Sequence, residues 1–219
     1  MADSNIDPPE VPILLLGDAE VGKSTFLSRL TLGTGGHSTK GPLPVLRDLD
    51  QPFPFNIRMY NRPYRFEFYD TASPQNYTLL RPAVVILCYS IASPESLKSV
   101  HTHWKTLVEK HFNYNELLPV ILLGLKRDVR TKEDYGGSVR PAAEGGAASD
   151  DQQPLHSRTF VYPQEALRIA QEMRCDRYCE CSAETGELCR EVFEDIAKTA
   201  AMTTTSRSGR SEEPSCTIM

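Results

Sequence analysis

A glycine-rich segment directly follows the first apolar run of the chain. The apolar run is Ile13–Leu16, and the residues after it read Gly17-Asp18-Ala19-Glu20-Val21-Gly22-Lys23-Ser24. This spacing matches the pattern G-x-x-x-x-G-K-[ST], in which the glycines let the backbone turn tightly and aim successive N–H groups at phosphate oxygens. The spacing of Phe26, Leu27 and Leu30 predicts a helix immediately afterwards, and the positive N-terminal end of a helix favours an anion. The segment therefore predicts a phosphate-binding loop between a strand and a helix.

Two side chains at the end of this loop have defined roles in phosphate chemistry. The Lys23 ammonium can reach the terminal phosphates as a point charge, and the Ser24 hydroxyl can ligate Mg²⁺. We expect the ligand to be a nucleoside triphosphate or its diphosphate, bound by the residues from Gly17 to Thr25.

Composition limits the other possibilities. The chain has 219 residues, of which 40% are hydrophobic and 24% are charged, which favours one α/β domain. The net charge of -5 provides no basic surface, so nucleic acid is not an expected partner.

The polar start of the chain and the absence of a long apolar run predict a cytoplasmic protein with no membrane-spanning helix. Six cysteines in that compartment are expected to be free thiols, and because they lack paired C-x-x-C spacing we predict no zinc site.

Apolar runs alternate with helical patterns along the chain. A loop of Asn61-Arg62-Pro63 separates two of the runs, which is too short for a crossover, so these two runs form a hairpin. The sequence therefore predicts a doubly wound α/β fold with a mostly parallel six-stranded sheet, one antiparallel strand and helices on both faces. The predicted strands are Val11–Leu16, Phe55–Tyr60, Tyr64–Tyr69, Ala83–Ser90, Val120–Leu123 and Arg177–Cys181.

Helices are predicted after most of these strands. Ser93 with Pro94 opens one that continues past Trp104, a residue we assign to packing or solvent, and Pro163 opens another. Residues 1–10 are predicted to be a flexible N-terminus, 11–202 the nucleotide-binding domain and 203–219 a flexible tail. Within the domain, residues 131–158 are rich in Gly, Ala, Ser and Asp and form a predicted mobile insertion.

Three further segments identify a family when they are taken with the phosphate-binding loop. Asp70-Thr71-Ala72, Leu125-Lys126-Arg127-Asp128 and Glu180-Cys181-Ser182-Ala183 each follow a predicted strand, in the order found in small Ras-like GTPases. Within that superfamily the chain resembles a Rho-type member over about residues 11–200, because the Tyr89–Leu97 and Arg190–Glu194 segments, Trp104 and the insertion match Rho-like patterns. The resemblance implies guanine nucleotide and Mg²⁺ as ligands, and Rho-type effectors and regulators as partners.

The resemblance and the chemistry of guanine assign the base-binding residues. The Asp128 carboxylate can accept hydrogen bonds from guanine N1–H and the exocyclic amine, which adenine does not offer in that arrangement. Lys126 would lay its aliphatic stem over the base, and the backbone of Ser182 and Ala183 would donate to the guanine oxygen. A helix cap is the alternative role for Asp128. The usual family residues at two neighbouring positions are replaced here by Leu125 and Glu184.

The residues that would support hydrolysis depart from the family pattern. Asp70 is expected to hold Mg²⁺ through water, but the family's Gly-Gln after Asp-Thr-Ala is Ser73-Pro74 here. Pro74 has neither a side-chain amide nor a backbone N–H, so no catalytic residue is assigned at that position. Ala19 replaces the usual glycine of the loop, and the nearest candidate for the Mg²⁺-ligating threonine is Thr39. We therefore predict slow hydrolysis.

Two functions remain open on this sequence. The first is a membrane-associated Rho-like signalling switch that hydrolyses GTP slowly, and the second is a non-cycling interaction scaffold that holds GTP or no nucleotide.

The chain ends Cys216-Thr217-Ile218-Met219, a C-a-a-X signal that predicts a prenyl group on Cys216. Because the tail carries no basic cluster and no adjacent second cysteine, we expect attachment to the cytoplasmic face of membranes to be reversible.

Overall fold

The architecture is a single sheet with helices packed on both of its faces. The computed structural model describes residues 8–32, 43–47, 51–59, 61–70, 80–112, 118–130, 160–205 and 216–218. Over these residues the sheet has seven strands in the spatial order β6-β5-β4-β1-β3-β2-β7. The strands are β1 Glu10–Leu16, β2 Phe53–Met59, β3 Arg62–Asp70, β4 Val84–Ser90, β5 Val120–Leu125, β6 Arg177–Glu180 and β7 Cys216–Ile218.

The predicted sheet of six strands with one antiparallel member is confirmed, and a short strand extends it. Strands β1, β3, β4, β5 and β6 run parallel, and β2 pairs antiparallel with β3 through a tight turn at Asn61. The seventh strand, β7, pairs antiparallel with the outer edge of β2. The unpaired backbone groups of an edge strand accept such a partner.

The helices are α1 Lys23–Thr31, α2 Pro94–Ser99, α3 Lys105–Phe112, α4 Pro163–Glu172 and α5 Cys189–Thr205. Ser93 caps α2 as predicted, since its side chain accepts a hydrogen bond from the Ser96 N–H at 3.3 Å. A π-helical turn over Val100–Trp104 joins α2 to α3, and a short 3₁₀ turn covers Arg127–Val129. The π-helical turn was not predicted.

Both faces of the sheet carry a buried core, as the continuous apolar strands require. Along β1, Ile13 and Leu15 pack on the side of α1 and α5, whereas Leu14 and Leu16 pack on the side of α2, α3 and α4. The parallel strands end at one common edge, where the loops after β1, β5 and β6 meet the end of β3. Within the described residues, no helix is long and apolar enough to cross a membrane.

Candidate functional site

The predicted phosphate-binding loop lies between β1 and α1, at the carboxyl edge of the sheet. Gly17 and Gly22 have φ angles of +152° and +112°, which side chains rarely adopt. A Cβ atom at Gly17 would lie 2.3 Å from the carbonyl oxygen of Cys88 in β4. The glycine at this position is therefore required by the close approach of two backbones.

Lys23 is folded back along the loop that it follows. Its Nζ donates to the carbonyl oxygens of Gly17 at 2.9 Å and of Asp18 at 2.8 Å, and the residue is only 8% exposed. The ammonium is thus held inside the loop by the loop's own backbone. A lysine anchored in this way offers its positive charge where the loop's N–H groups converge.

The predicted metal-binding pair is brought together across the site. Ser24 Oγ, at the start of α1, donates to Asp70 Oδ2, at the end of β3, over 2.5 Å. Asp70 is 4% exposed, and its backbone carbonyl accepts a 2.5 Å hydrogen bond from Gln51 Nε2. A hydroxyl and a carboxylate oxygen are the hard ligands that Mg²⁺ prefers, so this pair fits the metal. The contact from Gln51 was not predicted.

The predicted base-binding residues also meet at one place. Asp128 Oδ1 accepts a 2.5 Å hydrogen bond from Ser182 Oγ, which joins the 3₁₀ turn after β5 to the loop after β6. Lys126, in a left-handed conformation with φ +62°, donates through Nζ to the carbonyl of Glu20 at 2.7 Å. Lys126, one of the predicted base-binding residues, is therefore tied directly to the predicted phosphate-binding loop.

One expected donor is engaged elsewhere. The Ser182 N–H donates to the carbonyl of Glu187 at 3.0 Å, so its backbone does not point to a ligand as the sequence analysis expected. The Ser182 hydroxyl holds Asp128 instead. Ala183 is the remaining residue of the pair for the role of backbone donor.

Two arginines that the sequence analysis did not single out hold the base-binding loops. Arg29 of α1 is 6% exposed and donates to the carbonyl oxygens of Ala183 at 2.5 Å and of Glu184 at 2.7 Å. Arg130 donates to both carboxylate oxygens of Glu180, at 2.5 Å and 2.8 Å. Because Arg130 follows the turn that carries Asp128, this bidentate pair fixes that turn to β6.

The side chain of Asp18 has hydrogen-bond partners on the neighbouring helix. Its Oδ1 accepts hydrogen bonds from Ser99 Oγ at 2.8 Å and from Trp104 Nε1 at 2.7 Å. Trp104 therefore contacts the phosphate-binding loop, beyond the packing or solvent role expected from the sequence. No local pattern signals this contact, since it depends on the π-helical turn.

The five described cysteines are free thiols. Burial raises the pKa of the Cys88 thiol to about 12, and the nearby Lys23 opposes that shift only in part. Cys189 donates through Sγ to the carbonyl of Ser182 at 3.2 Å. Cys88 and Cys189 are therefore packing and hydrogen-bonding groups beside the site.

Several predicted residues lie outside the part of the chain that the structure describes. They are Thr39, the segment Thr71-Ala72-Ser73-Pro74 and the predicted insertion 131–158. The backbone of Cys216 is described, as the first residue of β7.

The sequence matches the Ras family over residues 12–202. It is 27% identical to the GTP-binding protein RHO3 of Eremothecium gossypii, with 100% of this chain and 97% of that protein aligned. It is 26% identical to the GTP-binding protein rho2 of Schizosaccharomyces pombe, with 94% of each covered. It is 29% identical to the GTP-binding protein rho5 of the same organism, with 87% of this chain and 86% of that protein covered.

Proposed function

Since this chain belongs to the Ras family and is a Rho-type small GTPase of that superfamily, we propose that it is a membrane-associated signalling switch that hydrolyses GTP slowly. The observation that carries the proposal is the meeting of two groups at one edge of the sheet. Lys23, Ser24 and Asp70 form the phosphate end, and Lys126 and Asp128 form the base end.

At the phosphate end, the chain supplies a rigid backbone and one charge. The N–H groups of residues 17–24 and the Lys23 ammonium bind the phosphate oxygens of the nucleotide. Ser24, with Asp70 acting through water and Thr39 as the third candidate, would hold Mg²⁺. When bound, that ion neutralises charge on the β- and γ-phosphates.

At the base end, the chain selects guanine through one carboxylate. Asp128 accepts from N1–H and the exocyclic amine, and Lys126 covers one face of the base with its stem. We assign the hydrogen bond to the guanine oxygen to the N–H of Ala183, because the Ser182 N–H already has the Glu187 carbonyl as its partner. Adenine does not offer this pair of donors to the Asp128 carboxylate, which disfavours it.

Hydrolysis is the step that this sequence supports least. In this class, an activator accelerates hydrolysis by about 10⁵-fold through a water-positioning side chain and an arginine. Pro74 stands at the usual glutamine position, and Ala19 adds a methyl group where a glycine is usual. Phosphate binding depends instead on backbone N–H groups and Lys23, so we infer retained binding with slow turnover.

The nucleotide that remains on the purified protein tests this function. Protein expressed and purified in Mg²⁺ is denatured, and the released nucleotide is identified by ion-exchange chromatography. We expect GTP in part or in full. GDP alone would indicate an ordinary hydrolase, and no nucleotide would favour the alternative of an empty interaction scaffold, an alternative that Pro74 motivates.

Restoring the family residues should restore hydrolysis. We expect the double variant Ser73→Gly/Pro74→Gln to raise the single-turnover rate of phosphate release roughly tenfold or more, because it returns the water-positioning amide and a backbone N–H. Ala19→Gly alone is the control and should change the rate less. A parent protein that already hydrolyses GTP as fast as an ordinary family member would contradict the proposal.

The membrane part of the proposal rests on Cys216. We expect Cys216→Ser to remove the protein from the membrane fraction of eukaryotic cells that farnesylate C-a-a-X ends, because a serine oxygen does not accept the prenyl group. Cys175→Ser, which changes a thiol inside the domain, is the matched control and should leave partitioning unchanged. Equal membrane association of the Cys216→Ser variant and the parent would rule out a lipid anchor.

A further inference from the structure

The helix that follows β4 changes its winding opposite the phosphate-binding loop. It is α-helical over Pro94–Ser99 and Lys105–Phe112 but π-helical over Val100–Trp104, where the Lys105 N–H donates to the Val100 carbonyl. Turns of this kind cost regular hydrogen bonding and are frequent at functional sites. This turn carries Trp104, and Ser99 directly precedes it; both side chains contact the phosphate-binding loop.

The π-helical turn places two hydrogen-bond donors on the same carboxylate oxygen. In an α-helix, residues five apart lie about 140° apart around the axis. The i→i+5 bonding of the π turn widens the helix locally and reduces this angle. Ser99 and Trp104 have this spacing, and both donate to Asp18 Oδ1, at 2.8 Å and 2.7 Å. The π turn therefore brings the two donors toward the same side of the helix, where both reach Asp18.

Asp18 is consequently held from two sides. Its carboxylate accepts hydrogen bonds from Ser99 and Trp104 of the helix, and its backbone carbonyl accepts a 2.8 Å hydrogen bond from the Lys23 ammonium. Both donors are neutral groups of the helix, and together they fix the carboxylate on the helix side of the loop. A carboxylate free to turn toward an anionic ligand would repel it and would also change the loop conformation that positions Lys23.

We propose that Trp104, together with Ser99, is a positioning residue that slows nucleotide release by anchoring Asp18. Trp104 acts through Asp18 on the phosphate-binding loop and Lys23. This inference rests on the proposed function, because it concerns the retention of a nucleotide in that same site.

Dissociation of N-methylanthraniloyl-GDP, displaced by excess GDP in Mg²⁺, measures this retention. Trp104→Phe keeps an aromatic ring and removes the N–H, and loss of one hydrogen bond to a charged group should raise the dissociation rate about three- to tenfold or more. Ser99→Ala should raise the rate as well, whereas Ser99→Thr, which keeps the hydroxyl, should not. His101→Ala, an exposed change on the same turn, is the matched control and should leave the rate unchanged.

A double-mutant cycle distinguishes positioning from general packing. In an Asp18→Ala background, Trp104→Phe should change the dissociation rate less than about twofold, because its partner is already absent. An undiminished effect in that background, or no effect of Trp104→Phe in the parent, would overturn the inference while leaving nucleotide binding established. A parent protein that binds no labelled GDP would instead overturn the proposed function, and this inference with it.

Discussion

Replacing Glu180 by glutamine is expected to lower the free energy of unfolding by about 3–5 kcal/mol, as the loss of one partner of a buried ion pair does. Arg130 binds both oxygens of Glu180 at 2.5 Å and 2.8 Å, and the two side chains are only 1% and 9% exposed. A glutamine removes the negative charge and presents its NH₂ group to one of the two guanidinium nitrogens. The Tyr178 hydroxyl, which also donates to Glu180, would lose its charged acceptor.

The matched control is an exposed ion pair in the same protein. Arg168 and Glu172 pair on the surface of α4, with side chains 64% and 43% exposed. Glu172→Gln should cost at most about 0.5 kcal/mol, since solvent screens such i,i+4 pairs. Urea unfolding of the two variants gives the comparison. If Glu180→Gln is no more destabilising than Glu172→Gln, then the buried pair does not stabilise the fold in the way described.

Replacing Lys23 by methionine is expected to weaken the binding of GTP and GDP by about 100-fold or more. Each charge-assisted hydrogen bond from an ammonium to a phosphate oxygen contributes about 1.5–3 kcal/mol, and a factor of ten corresponds to about 1.4 kcal/mol. Methionine keeps a similar length and apolar stem, so the change removes the ammonium with its charge and its hydrogen bonds. Isothermal titration calorimetry of nucleotide-free protein measures the loss.

Two further measurements make this result specific to the site. Lys110→Met, an exposed change on α3, should leave the affinity unchanged. Urea unfolding of nucleotide-free Lys23→Met separates loss of ligand binding from loss of fold, because Lys23 also holds the carbonyls of Gly17 and Asp18. An affinity within about threefold of the parent would contradict the phosphate-binding role that we assign to Lys23.

The parts of the site that could be predicted depend on local spacing and on strand direction. The phosphate-binding loop follows from residue types at fixed intervals, and its Gly17 has the backbone angle that such a loop needs. Ser24 and Asp70 are far apart in sequence. They meet because Asp70 ends β3, which runs parallel to the strand before the loop, and parallel strands place their carboxyl ends at one edge.

The parts that could not be predicted depend on how separate elements pack. Arg29 reaches the carbonyls of Ala183 and Glu184 only because α1 and α5 lie side by side on one face of the sheet. Likewise, Trp104 reaches Asp18 from a π-helical turn that nothing in the sequence predicted. Contacts from a side chain to a distant backbone leave no pattern in the sequence, because any residue supplies the carbonyl.

Strand β7 was missed for a related reason. It pairs Cys216, Thr217 and Ile218 with Met59, Arg58 and Ile57. Sheet edges bind backbone, so a short segment with no alternating apolar pattern is able to form such a strand.

Because of this pairing, residues 216–218 can have only one binding partner at a time. The residues that form β7 are also the C-a-a-X residues, and one extended backbone cannot lie along β2 and in a modifying enzyme at the same time. Each hydrogen bond of so short a strand contributes only about 0.5–1.5 kcal/mol. Pairing with β2 would therefore compete with any protein that binds residues 216–218 in another position.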